Sequence, residues 1–174
     1  MISNRQRQVI NGTILGGSSL ILPINGKNPY LAMRSSDFNW IKYKAGELFG
    51  LSPNNKICQE KTYRWHSKCL PDLKEFEIRF YKDHKRSLNR DSLDLLTDVA
   101  FAVWYGDCGH YKSEKIILNT HIWGEDGTNV IFEFLNIVDF TCKIVKERNN
   151  FRIKLDKNSS KEFVKLIKPH YIKA

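Results

Sequence analysis

The chain lacks any uninterrupted apolar run of the about 18 residues that a membrane-crossing helix needs. The apolar stretch near its start is broken by Asn11, Gly12, Gly16 and Gly17, which does not suit a secretory leader. Cysteine is scarce: Cys58, Cys69, Cys108 and Cys142 show no Cys-x-x-Cys spacing. That pattern offers no zinc signature and no disulfide framework, and it predicts reduced thiols in the cytoplasm or an organelle (mitochondrion or chloroplast), not a secreted protein. Acid is the rarer charge, with 19 Asp and Glu against 28 Lys and Arg, a formal net charge of +9. A surplus of this size attracts polyanions, of which nucleic acid is the commonest. What is present is ordinary globular material: 174 residues, 41% hydrophobic, enough for one good core or two small ones sharing an interface.

The apolar periodicity predicts a recurring order of elements. Asn4 is placed to cap a helix through Val9, Ile10, Thr13 and Ile14, stopped by Gly16-Gly17. Extended runs Ser19–Leu22 and Tyr30–Arg34 follow, then an amphipathic helix from Phe38 to Phe49, a strand pair Ile57–Arg64 and His66–Leu70, and a helix or helix end at Phe76–Tyr81. The order then repeats. Thr97 is placed to cap a helix Val99–Tyr105 ended by Gly106 to Gly109; Tyr111-Lys112 and Ile116–Trp123 are extended; Gly127-Thr128 opens a helix to Val138. Cys142–Lys146 and Phe151–Leu155 flank the turn Glu147-Arg148-Asn149-Asn150, and Ser159-Ser160 caps a last helix, Lys161–Ile167. Both halves read α-β-β-α-β-β-α, an internal duplication of an α+β unit. Residues 1–82 form the first half, 83–94 a polar linker and 95–174 the second half.

Two glycine-flanked helix ends carry a family resemblance: Ile10-Asn11-Gly12-Thr13-Ile14-Leu15-Gly16-Gly17-Ser18 and Phe101-Ala102-Val103-Trp104-Tyr105-Gly106-Asp107-Cys108-Gly109. Together they resemble the paired signature of the LAGLIDADG homing endonucleases. The segment Cys142–Leu155 is similar to that family's final hairpin, and Ser159–Pro169 to its closing helix. The resemblance implies two signature helices packed side by side on a pseudo-twofold axis, with Gly12, Gly16, Ala102 and Gly106 allowing close approach. It also implies a saddle of antiparallel sheets over a long double-stranded DNA site, gripped by a monomer without membrane attachment.

Family cleavage implies one carboxylate at each signature helix end, holding Mg²⁺, a hard ion that takes oxygen ligands. In this sequence those catalytic positions carry Gly17 and Cys108, leaving Asp107 as the only nearby acid and the first candidate metal ligand. Successive helical residues point about 100° apart, so Asp107 is not a simple replacement. His66, His110, His121 and Glu125 are further candidate ligands or bases at strand ends, although a lone histidine there is more often a surface or core residue.

For nucleic acid, strand alternation points to Arg34, Lys61, Arg64 and Lys68 in the first half, and to His121, Lys146, Arg148, Arg152 and Lys154 in the second. Basic residues on strands also serve solvation and edge protection. Three readings follow: a duplex-DNA binder that has lost cleavage, an endonuclease with an unusual site, and a component of a ribonucleoprotein. The alternative partner is intron RNA, bound in a maturase-like role, with 12% aromatic residues available for stacking.

Overall fold

Two copies of one arrangement meet along a central helix pair in the computed structural model, which describes residues 1–148 and 150–171. Asn149 of the expected turn and the final residues 172–174 lie outside the described residues. The first half comprises α1 (Asn4–Leu15), β1 (Ser19–Ile21), β2 (Tyr30–Ser35), α2 (Phe38–Glu47), β3 (Cys58–Gln59), β4 (Tyr63–His66) and α3 (Lys74–Phe80). A small hairpin, β5 (Tyr81–Lys82) and β6 (Lys85–Arg86), leads on. The second half comprises α4 (Asp98–Cys108), β7 (Gly109–Lys112), β8 (Lys115–Asn119), α5 (Gly124–Ile137), β9 (Cys142–Glu147), β10 (Asn150–Leu155) and α6 (Lys157–Ile167). The two four-stranded antiparallel sheets share one spatial order, β1-β2-β4-β3 and β7-β8-β10-β9.

Period-two alternation sets which face each sheet buries. Leu31 and Met33 of β2 face the core with Trp65 of β4, which pairs with Met33. Ile116 and Leu118 of β8 do the same with Ile153 and Leu155 of β10. Beneath the second sheet Phe101, Phe134, Phe140 and Phe163 interlock with ring centroids 5.3–6.2 Å apart. The α4 helix is buried continuously from Val99 to Gly106, because it packs on α1 along one face and on α6 and the sheet on others.

Several expected boundaries shift for identifiable reasons. Ser3, not Asn4, caps α1, since Ser3 and Gln6 satisfy each other's backbone N–H in a capping box. Asp156 rather than Ser159 caps α6, accepting from the Ser159 N–H at 2.7 Å. The α4 helix runs through Gly106 to Cys108, and α5 begins at Gly124. The strand β4 straddles the break expected between Arg64 and His66, because Trp65 must reach the core; past Ser67 the backbone N–H of Lys68 turns to Leu51 O at 2.7 Å. The stretch after Asn119 is a 3-10 turn, His121–Trp123, instead of strand. Within residues 83–94, Asp83 and His84 take φ of 50° and 60°, as a two-residue hairpin turn requires, and Ser92 and Leu93 are buried.

Candidate nucleic-acid interface and the helix junction

The α1–α4 contact is backbone against backbone. A Cβ added at Gly12 would overlap the Ala100 carbonyl and stand 2.8 Å from Val103 Cβ; one at Gly16 would overlap Asp107 Cβ and lie 2.9 Å from its Oδ2. Gly16 and Asp107 occupy corresponding places in the two motifs and face each other across the junction. Gly17 takes φ +121°, a backbone region that residues with a Cβ rarely adopt.

Each half sends a tryptophan to the other half's helix end. From the start of α2, Trp40 lies over Gly106, where an added Cβ would sit 2.5 Å from Cη2, and donates its indole N–H to Asp107 Oδ1 at 2.6 Å. From the turn after β8, Trp123 donates to Leu15 O at 3.2 Å. The charges at the two ends differ. At the α4 end, Lys44, one turn beyond Trp40 and fully buried, donates to both oxygens of Asp107 at 2.6 and 2.8 Å. At the α1 end, Arg86 of β6 donates to Ile14 O, Gly17 O and Ser18 O at 3.3, 3.1 and 2.7 Å, with its guanidinium over the Trp123 ring. A cation thus stands at each signature helix end, ion-paired with a side-chain carboxylate at α4 and capping the terminal carbonyls at α1.

Between these ends and the first sheet opens a cleft of about 730 Å³, lined among others by Gly17, Ser18, Ser19, Arg34, Trp40 and Asp107. The divalent cation implied by the resemblance does not fit its residues. Gly17 has no donor side chain. Burial, helped by the neighbouring Asp107 charge, pushes the Cys108 thiol up to about 12, so it is a protonated soft group at neutral pH. Asp107 has both oxygens committed to Lys44 and Trp40, and no three His, Cys, Asp or Glu side chains gather into a metal-holding group among the described residues.

Strand register identifies the faces turned away from the helices. On the second sheet, Lys115, Ile117 and Asn119 of β8 share the outward face with His110 and Lys112 of β7, Arg152 and Lys154 of β10, and Lys143 of β9, which pairs directly with Lys154. This face brings together five Lys and Arg side chains, with Arg152 held by Glu147 at 2.9 Å. On the first sheet the outward face carries Arg34 opposite Arg64, and Ala32 opposite His66; Arg64 is engaged by Glu60 at 2.9 Å. Lys61 is exposed in the turn before β4 and Lys68 in the loop after it.

Not every expected contact residue lies on these faces. Lys146 pairs with Phe151 on the opposite parity, its ammonium 4.9 Å from the Phe151 ring and 3.7 Å from Glu125, which places it on the helix side of the sheet. Glu125 is thereby a partner of Lys146, on α5. Arg148 occupies the β9–β10 turn with φ 57°. His121 is exposed at the start of the turn whose Ile122 lies beside Gly17. Lys143, Lys112 and Lys115 were missed, although the shared parity of Lys143 with Arg152 and Lys154 across the hairpin was available to find the first. Trp40, Lys44, Trp123 and Arg86 were also missed, since their partners lie about 60–110 positions away in sequence.

Residues 7–163 match the model of the LAGLIDADG DNA endonuclease family. Among solved structures, the homing endonuclease I-WcaI bound to its DNA recognition sequence shares the fold with a TM-score of 0.87 at 18% identity, over 99% of this chain and 84% of that one. I-DmoI in complex with DNA and Mn gives 0.57 at 15% identity, over 94% and 96%. The N-terminal LAGLIDADG domain of DUF199/WhiA gives 0.53 at 12%, over 95% and 83%. A stretch of 115 residues is 27% identical to Protein RecA of Mycolicibacterium fallax, spanning 64% of this chain and only 27% of that protein.

Proposed function

The chain belongs to the LAGLIDADG DNA endonuclease family, and from that premise we propose that it holds a long duplex DNA site against the outward faces of its two sheets without cutting it. The observation that carries this reading is the register that collects Lys112, Lys115, Lys143, Arg152 and Lys154 on one sheet face. A ribbon of strands fits a major groove, and each Lys or Arg that neutralises a phosphate releases condensed counterions. His110 on the same face, and Arg34 and His66 on the other sheet, supply side chains able to read base edges, whereas the Asn119 amide donates to Cys108 O at 2.9 Å. I-WcaI is bound to its DNA recognition sequence, and I-DmoI to DNA and Mn; the corresponding site here is taken to be duplex DNA.

Cleavage is left out of the reading because of what stands at the helix ends. A side-chain-free Gly17, a protonated Cys108 and an Asp107 neutralised by Lys44 offer neither a ligand set nor a free base for a water molecule. Both halves reside in one chain, so the working unit is taken to be a monomer. Selection from a randomised duplex pool, followed by competition at fixed salt with the selected duplex and with structured RNA, tests the reading. Duplex of one selected sequence should compete far better than random duplex or RNA. Preferential competition by RNA would instead favour the maturase-like role.

A further inference from the structure

We infer that Lys44 is a built-in cation of the helix junction: its ammonium, fixed on Asp107 beneath the Trp40 indole, keeps the one remaining acid there from serving a hard divalent ion. Lys44 comes from α2 of the first half and Asp107 from α4 of the second, so the pair ties the halves together where the motifs end. Three hydrogen bonds converge on the carboxylate, from the Trp40 indole N–H at 2.6 Å and from the ammonium at 2.6 and 2.8 Å. Lys44 has no exposed side-chain surface and Asp107 only 9%, so an ion arriving from the cleft meets a carboxylate whose two oxygens already accept from a buried ammonium.

The surroundings are built to this cluster. Gly106 has no Cβ, and any Cβ there would meet the Trp40 ring, 2.5 Å from Cη2 and 2.8 Å from Cε2. Gly16 likewise leaves room for Asp107 itself. The other helix end is closed in the same manner, the Arg86 guanidinium taking the carbonyls of Gly17 and Ser18. Positive charge at the junction is therefore supplied by the chain's own residues at both ends. Restoring an acid at position 108 adds a ligand but does not remove the competing ammonium.

The test uses the full chain without DNA, comparing Cys108→Asp with Cys108→Asp/Lys44→Met by thermal melting against MnCl₂, at ionic strength matched with NaCl, and by the loss of the free Mn²⁺ spin-resonance signal. The double variant should bind Mn²⁺ and melt at least about 3 °C higher when saturated, while the natural chain and Cys108→Asp do not respond. Equal responses from the single and double variants, or none from either, would overturn the inference. Because Lys44→Met alone strips Asp107 of its counter-charge, Lys44→Met/Asp107→Asn serves as the folding control. It should melt above Lys44→Met, and a lower or equal melting point would also count against the assignment. The inference rests on the non-cutting reading only for its setting. Loss of duplex binding or the appearance of cleavage in the natural chain would sink that reading while leaving the metal response as measured.

Discussion

The two halves share strand order, helix order and the crossing tryptophan, yet they divide the work unequally. The second sheet turns five basic side chains outward, while the first turns Arg34 and Arg64, the latter engaged by Glu60. At the junction the asymmetry runs through hydrogen-bond character: Trp40 donates to a carboxylate that is also ion-paired, Trp123 to a neutral backbone carbonyl. A duplicated scaffold keeps what its symmetry axis requires, close glycine contact and a tryptophan clamp. Charge is distributed freely, because neither backbone path nor sheet register depends on it.

The comparison can be broken most sharply at the axis. Gly12→Ala forces a Cβ into the Ala100 carbonyl, where backbone cannot yield, and should cost about 3 kcal/mol, the upper part of the range for overpacking, by urea denaturation. A neutral effect would mean that the helices are farther apart than described. Next, Trp40→Phe should lose about 2 kcal/mol and Trp123→Phe about 1 kcal/mol beyond the shared loss of ring area, because hydrogen bonds to charged groups are worth more. Equal losses would erase the distinction between the two helix ends.

On the interface, Lys143→Ala/Lys154→Ala should weaken duplex binding about tenfold or more at low salt. The same change should flatten the salt dependence by about 1.8 in log–log slope, about 0.9 for each phosphate no longer neutralised. Lys146→Ala, on the helix side of the same sheet, should leave that slope unchanged. The smallest effect is in pH dependence. Paired hydrogen bonds from Arg5 at 2.6 and 2.8 Å lower the Glu47 carboxyl below its ordinary 4.5 against the opposing effect of burial. The stabilisation is therefore present above that ordinary value and lost as pH falls through the lowered one. Glu47→Gln should remove this acid-side drop from melting curves taken below about pH 4.5, with little change at neutral pH.

Much of the fold was legible because it is written in local patterns. The period-two runs at Tyr30–Arg34 and Phe151–Leu155 and the helical spacing through Phe38–Leu48 each bury one face, so pattern and environment agree. Boundaries went astray where a side chain or turn supplied a competing partner: Ser3 with Gln6, Asp156 with Ser159, and the 3-10 turn that aims Trp123 at Leu15. The helix motifs were visible as sequence, and with them Gly17 and Cys108 at the positions where the resemblance expects acids. The Trp40–Lys44–Asp107 cluster was not, because Lys44 sits at an unremarkable position of an amphipathic helix and its charge acquires meaning only when Asp107 arrives from the other half. Lys146 illustrates the converse: it reads as a contact residue from the alternation of its own strand, and the pairing of that strand with β10 turns it to the opposite face.

The most direct measurement is recovery of the selected duplex after incubation with the natural chain in Mg²⁺ or Mn²⁺, read on a denaturing gel beside a native gel of the same sample. A shifted complex whose strands are all full length is the expected result. Discrete shortened strands, or no shifted complex with any selected duplex, would contradict it.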